Sequence, residues 1–289
     1  MTTIGFVGLG IMGSPMAAHL AAAGHTVRGY DRSAPAVEKL VAAGGIAAAN
    51  TAEAVRGAEV VITMLPADEQ VREVGGEVIA EAEPGLLLID MSTVRPDTAT
   101  WLAESAHRKG IRVLDAPVSG GQAGAERAAL SIMVGGSAAD FTAARGLFEV
   151  LGATIVHVGP TGSGQVVKAA NQLVVGGILG LVSEAIVLLE ATGVDPVAGL
   201  DVLAGGLAAN RVLDLKRAAM IARQFQPGFR IDLHHKDMGI ALAAARQAEV
   251  ALPLTALVAQ LVAAARAMGH GGLDHSALLT VVEALSGRS

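Results

Sequence analysis

The chain contains no cysteine. Disulfides, thiolate metal ligands and thiol nucleophiles are therefore excluded, and with them thiol-based aldehyde oxidation. Aromatic residues make up only 2% of the 289 residues, no basic tract is present and the formal net charge is −6. That balance argues against nucleic-acid binding. Long hydrophobic runs are missing as well, although hydrophobic residues reach 52% and the mean hydropathy is +0.51. The longest apolar stretch, residues 173–182, falls far short of the ~20 residues that a membrane helix needs. It also holds Gly176, Gly177 and Gly180, so a buried helix is expected rather than a membrane span. The N-terminus carries no basic region ahead of an apolar run, so a cytoplasmic protein without a secretory leader is expected. Lysine is scarce too, standing only at positions 39, 109, 168, 216 and 236.

Glycine, by contrast, is abundant and patterned. Gly8, Gly10 and Gly13 form G-x-G-x-x-G between a short apolar run and a helical stretch from residue 14 to 23. In that setting Gly8 makes the tight turn, Gly10 admits a pyrophosphate to the backbone and Gly13 lets helix and strand pack closely. The helix N-terminus then offers N–H groups and a partial positive charge to the phosphates. Leu9, Ile11 and Met12 complete the loop. Asp31 lies 18 residues beyond Gly13, near the spacing at which an acid accepts hydrogen bonds from ribose hydroxyls. Its charge repels a 2′-phosphate and favours NAD, while Arg32 leaves NADP as an alternative.

Short apolar runs at residues 4–7, 26–30, 60–64, 86–90, 112–114, 131–134 and 154–157 read as strands, with helical stretches such as 34–43 and 94–109 between them. The alternation predicts an α/β domain, a doubly wound and mostly parallel Rossmann sheet over residues 1–162. Helical periodicity alone follows, entered through a long helix from about residue 165 to 192. Residues 163–289 are therefore expected to form an all-α domain that carries substrate-binding and oligomer contacts. Ligands of such sheets bind beyond the carboxyl ends of the strands. The loops Leu65-Pro66, Ser92-Thr93 and Ser119-Gly120-Gly121 should converge there.

Ser119 with the Gly120 and Gly121 amides makes a nest suited to a small carboxylate. Lys168 and Asn171, spaced i, i+3, share one face of the long helix. Val166, Val167, Ala169 and Ala170 around them make a solvated charged face unexpected. A buried lysine must be paired or neutral, and either state suits proton transfer; a lysine snorkelling to the surface is the alternative. His234 and His235 point to different helix faces, so no metal site is expected. Lys236 can serve the same crevice as a second cation, and Asp274-His275-Ser276 has the pattern of a helix N-cap. His19, His25, His107 and His270 stand singly and read as structural.

Taken together, residues 5–13, the Asp-Ala-Pro-Val-Ser-Gly-Gly of 115–121, the Gly-x-Gly-Gln-x-x-Lys-x-x-Asn of 162–171 and the Lys236-Asp237 pair resemble the β-hydroxyacid dehydrogenase family. The resemblance spans essentially the whole chain. Gly205-Gly-Leu-Ala, Pro227-Gly-Phe-Arg-Ile-Asp-Leu-His, Ala251-Leu-Pro-Leu-Thr and Asp274-His-Ser-Ala-Leu bring it nearest to the tartronate semialdehyde reductase branch. Gln172 departs from the second Asn common in the 3-hydroxyisobutyrate branch. The resemblance implies a catalytic Lys168, with Ser119, Gly120, Gly121 and Asn171 holding substrate. It also implies cofactor contacts from the glycine loop, Asp31, Met64, Leu65, Pro66, Thr93 and Lys236. The expected activity is NAD(P)-dependent reduction of tartronate semialdehyde to glycerate, the partner being a small carboxylate-bearing aldehyde or hydroxyacid and the chain a homodimer or homotetramer. Burial of Lys168 and a nearby Lys236 would favour the neutral amine and ease its proton exchange. Oxidation of 3-hydroxyisobutyrate and reduction of glyoxylate or succinic semialdehyde are the alternatives within the family. A dinucleotide-sensing protein without catalysis is the alternative outside it, and an imine reductase, which usually lacks the lysine, lies between.

Overall fold

The computed structural model describes residues 1–288. Its nine strands are β1 (Thr3–Val7), β2 (Thr26–Tyr30), β3 (Ile46–Ala47), β4 (Val60–Thr63), β5 (Leu87–Asp90), β6 (Arg112–Asp115), β7 (Val118–Ser119), β8 (Leu130–Gly136) and β9 (Gly152–Gly159). They form one sheet in the order β3-β2-β1-β4-β5-β6-β8-β7, with β9 paired to β8. The run from β3 to β6 is parallel, as strands joined by crossover helices demand. β8 is antiparallel to both β6 and β7, and β9 returns parallel to it. All seven predicted runs are strands; β3 and β7, two residues each, are additional.

Period two sorts the central strands between two cores. Ile62, Ile89 and Leu114 pack on one face with Met16, Leu20 and Leu147. Val61, Leu88 and Val113 pack on the other with Val78 and Leu102. The helices that supply those layers are α1 (Gly13–Ala22), α2 (Ala34–Ala42), α3 (Thr51–Val55), α4 (Asp68–Glu81), α5 (Pro96–His107), α6 (Gly121–Glu126) and α7 (Ala138–Leu151). Each fully buried aliphatic side chain stabilises the fold by about 1.5–3 kcal/mol. α5 begins two residues later than the pattern suggests: Pro96 fixes the first turn and holds Arg95 extended.

The remaining helices are α8 (Ser163–Ala191), α9 (Pro196–Gly205), α10 (Arg211–Ile221), α11 (Ile231–Gln247), α12 (Pro253–Ala267) and α13 (Leu278–Leu285), with a 3-10 turn over His275–Ala277. Among the described residues of this part no strand forms, and the one β-bridge joins Arg230 to Asp274. Side chains of Asp195 and Asn210 cap α9 and α10 by accepting first-turn N–H groups. Asp274 caps the 3-10 turn, accepting from Ser276 N, as its sequence pattern predicts. The core gathers Leu179, Ile186, Leu213, Met220, Met238, Val262 and Leu279.

The chain divides into two compact units, Met1–Lys168 and from Ala169 onward. The boundary falls inside α8. That helix corrects the expectation drawn from run length: by length and composition it could cross a membrane, with an 18-residue window of mean hydropathy 2.1 of which 44% is buried. Ser183 and Glu184 end the strictly apolar run, but residues 185–189 beyond them are apolar again. Val174, Leu181 and Leu188 of α8 are exposed.

Candidate active site

In the first unit the glycine loop turns as its spacing predicts. Gly8 has φ +97, and a Cβ there would lie 2.4 Å from the Met64 carbonyl oxygen. At Gly13 a Cβ would lie 1.9 Å from the Gly8 carbonyl oxygen, so the close packing is between the turn's own backbone segments. Above Gly10 there is open space, and Gly10 and Ile11 are exposed. Among the described residues, no protein acceptor takes their N–H groups. Asp31 is fastened to this loop. One carboxylate oxygen accepts from Leu9 N at 2.7 Å and the other from Ser33 N at 2.7 Å. Arg32 beside it is exposed. An open backbone face at a helix N-terminus, with an acid at the end of β2, fits the pyrophosphate and ribose of a dinucleotide.

Two of the predicted loops are tied together. Leu65 N donates to Ser92 Oγ at 2.9 Å, and Ser92 Oγ donates to Asp90 Oδ1 at 2.6 Å. Thr63 Oγ1 donates to the same Asp90 oxygen at 2.7 Å, while Oδ2 has no hydrogen bond. Burial pushes the Asp90 carboxyl above its usual range; the Ser92 and Thr63 hydrogen bonds oppose that, and the neighbouring Asp115 reinforces it. Asp115 is Asp90's register partner on β6. It accepts from Gly162 N at 2.7 Å and Gln165 N at 3.1 Å, and burial raises it too against those bonds.

Gln165 carries the connection to α8. Its Oε1 accepts from Val94 N at 3.1 Å and its Nε2 donates to Ser92 O at 2.9 Å. One turn later comes Lys168, only 5% exposed, while its apolar neighbours Val166 and Val167 are exposed. The lysine is thus on the buried side of the helix. Thr93 and Met64 are half-buried and Pro66 exposed. The third loop turns with φ +133 at Gly120 and +60 at Gly121, leaving Ser119 half-buried. No bond among the described residues ties Ser119, Gly120 or Gly121 to the other two loops.

Asn171 and Lys236 lie in the second unit. Asn171 Nδ2 donates to Gln172 Oε1 at 2.8 Å, and Gln172 Nε2 donates to Asp237 Oδ2 at 2.6 Å. Asp237 is buried, and its Oδ1 forms an ion pair with Lys236 Nζ at 3.4 Å without a hydrogen bond. His234 sits against the Gln172 carbonyl and, ring to ring, against His275, with 3.1 Å between their Nδ1 atoms. His235 belongs to a separate open depression with Asp232 and Arg266. Among the described residues no three His, Asp or Glu side chains are placed to hold a metal ion.

The sequence singles out Lys168 and Asn171 as candidates but assigns no role to Gln165, Asp90 or the Gln172–Asp237 pair. For Gln165 a signal existed: it stands three residues before Lys168, on the same helical face.

Residues 3–159 match the family model for the NAD-binding domain of 6-phosphogluconate dehydrogenase. Residues 162–282 match that for the NAD-binding domain of NADP-dependent 3-hydroxyisobutyrate dehydrogenase. The chain belongs to the β-hydroxyacid dehydrogenase family. Among its relatives, 2-hydroxy-3-oxopropionate reductase of Escherichia coli is 39% identical over 98% of both chains. The 3-hydroxyisobutyrate dehydrogenase of Pseudomonas aeruginosa is 40% identical, over 96% of this chain and 97% of that one. A solved structure of the Mycobacterium tuberculosis 3-hydroxyisobutyrate dehydrogenase with L-serine is 37% identical with a TM-score of 0.89, covering 98% of this chain and 99% of that one. As a β-hydroxyacid dehydrogenase the chain is an oxidoreductase acting on hydroxyl groups, with NAD as cofactor and NADP an alternative.

Proposed function

We propose that the chain reduces tartronate semialdehyde to glycerate, with Lys168 as the general acid of reduction and the base of the reverse oxidation. The observation that carries the reading is the burial of Lys168 on a helix that Gln165 pins to the 92–94 loop. The glycine loop, Asp31, Arg32, the Met64-Leu65-Pro66 segment, Thr93 and Lys236 would hold the dinucleotide. When bound, that cofactor supplies the hydride that converts the aldehyde carbon to an alcohol. Lys168 delivers a proton from Nζ to the carbonyl oxygen as charge develops there. Ser119 Oγ and the Gly120 and Gly121 amides bind the carboxylate, and Asn171 orients the lysine or the substrate hydroxyl. Asp31 supports a preference for NAD over NADP.

The choice of tartronate semialdehyde rests on the four segments shared with that branch and on Gln172, where the 3-hydroxyisobutyrate branch carries a second Asn. Steady-state kcat/KM for tartronate, succinic and methylmalonate semialdehydes and glyoxylate, each with NADH and NADPH, tests it. A higher value for any other acid overturns the substrate. NADH binding without turnover of any of them overturns the proposed semialdehyde reduction. Lys168→Ala should lower kcat by about 10²–10⁴-fold with cofactor binding intact, and near wild-type turnover would remove the lysine from the chemistry. We further propose a soluble cytoplasmic enzyme in which a second copy covers the exposed Leu181 and Leu188. Sedimentation of a monomer at micromolar concentration would contradict it.

A further inference from the structure

We propose that Asp237 fixes which end of the Asn171 amide faces the reaction, acting through Gln172. Asp237 is a positioning residue in this scheme, and the proposal rests on Asn171 working beside Lys168 as described above. A side-chain amide is nearly symmetric in shape, so its two orientations differ in chemistry rather than in packing. One presents an acceptor, the other two donors.

The polarity is set at the buried end. An ionised carboxylate only accepts, and Asp237 Oδ1 is ion-paired with Lys236 Nζ at 3.4 Å. Whatever meets Asp237 Oδ2 must therefore donate, which assigns Nε2 of Gln172 to that contact at 2.6 Å. The Oε1 of Gln172 is then turned towards Asn171 and can only accept, so Nδ2 of Asn171 must donate, as it does at 2.8 Å. Two amides in series are left with one orientation. Asn171 is left with its carbonyl oxygen as the group on Lys168's face of α8, ready to accept from the lysine or from a substrate hydroxyl. A donor there would oppose the ammonium instead.

An amide at 237 should reverse the series. Its single oxygen turns to the Lys236 ammonium and its NH2 to Gln172, where donor meets donor until Gln172 and then Asn171 turn over. Adding a carboxylate at 172 should undo this, because it accepts from both sides and returns Asn171 to its original orientation. A merely structural role for Asp237 gives no reason for that rescue.

Asparagine occurs only at positions 50, 171 and 210, so side-chain ¹⁵N labelling of asparagine in the full chain gives three amide signals. In the wild type the Asn171 NH2 should exchange with solvent more slowly than that of exposed Asn50. Asp237→Asn should shift that signal and speed its exchange, and should lower kcat by about 10-fold. Asp237→Asn with Gln172→Glu should return both signal and kcat most of the way. Where Asp237→Asn folds poorly, Gln172→Met breaks the series at similar volume and should give the same shift and loss. An Asn171 signal unmoved by these changes, or a double variant no better than Asp237→Asn alone, overturns the proposal. If the wild type turns over no semialdehyde the proposed reaction falls, and the exchange measurement still decides the orientation.

Discussion

The two units bury carboxylates in opposite ways. In the first, Asp90 and Asp115 are met by hydroxyls and backbone N–H groups alone, and burial raises both. In the second, Asp274 meets Lys216 at 2.8 Å and also accepts from Gly228 N, Phe229 N and Ser276. Burial would raise it, but the His275 charge, the Lys216 ammonium and the Ser276 hydroxyl hold it at about 2. Arg223, bridged to Glu190 and Glu283, repeats the pattern. Around Asp90 and Asp115, neutral donors fix the geometry of the 92–94 and 162–165 segments. In the second unit, ion pairs join segments far apart in sequence, Lys216 to Asp274 and Arg223 to Glu190 and Glu283.

Breaking the ion-paired side should have the largest effect. Asp274→Ala leaves Lys216 partly buried without its anion and strips four further donors, and should cost about 3–5 kcal/mol in urea unfolding. A loss below about 1 kcal/mol would show that the pairing contributes little.

Acid should separate the units next. A carboxyl held below its unfolded value of 3.8 stabilises the fold above that value, and this is lost as pH falls towards about 2. For Asp90 and Asp115 the sign is opposite: their raised values penalise the ionised form, and the penalty disappears as pH falls. The single tryptophan, Trp101, lies in the first unit. Between pH 4 and 2, helical circular dichroism should therefore fall before Trp101 emission shifts. Coincident changes would mean that the contrast between the units has no bearing on acid stability.

A smaller loss is expected on the neutral side. Asp115→Asn turns an NH2 against the Gly162 or Gln165 N–H and should cost about 1–3 kcal/mol by thermal melting. Smallest of all, Glu149→Gln removes an exposed i, i+4 partner of Arg145. It should change stability by at most about 0.5 kcal/mol, and a larger effect would show that surface pairs matter here as much as buried ones.

Much of this arrangement was legible in the sequence. β2 matched residue for residue because turn residues bound it on both sides, and α8 matched within two residues at its start and one at its end. The antiparallel β8 was not legible, since alternation fixes which face a residue takes but not the direction of its neighbour. β3 and β7 are too short to show a period at all. Around Lys168 the expected burial holds, but not through the apolar neighbours that suggest it. The apolar Val166 and Val167 are the exposed ones, and the lysine is covered because Gln165 turns that face inward. The link from Gln172 to Asp237 joins residues 65 apart, beyond any local pattern.

Asp31 binds two properties into one residue. On the proposed reading its carboxylate sets nucleotide choice, yet both its oxygens already hold backbone amides, Leu9 on the glycine loop and Ser33 at the start of α2. Exchanging it for a residue welcoming phosphate would loosen the loop that must receive the pyrophosphate. Redesign towards the phosphorylated cofactor therefore has its independent handle one residue on, at exposed Arg32, where charge can be altered while the loop stays tied.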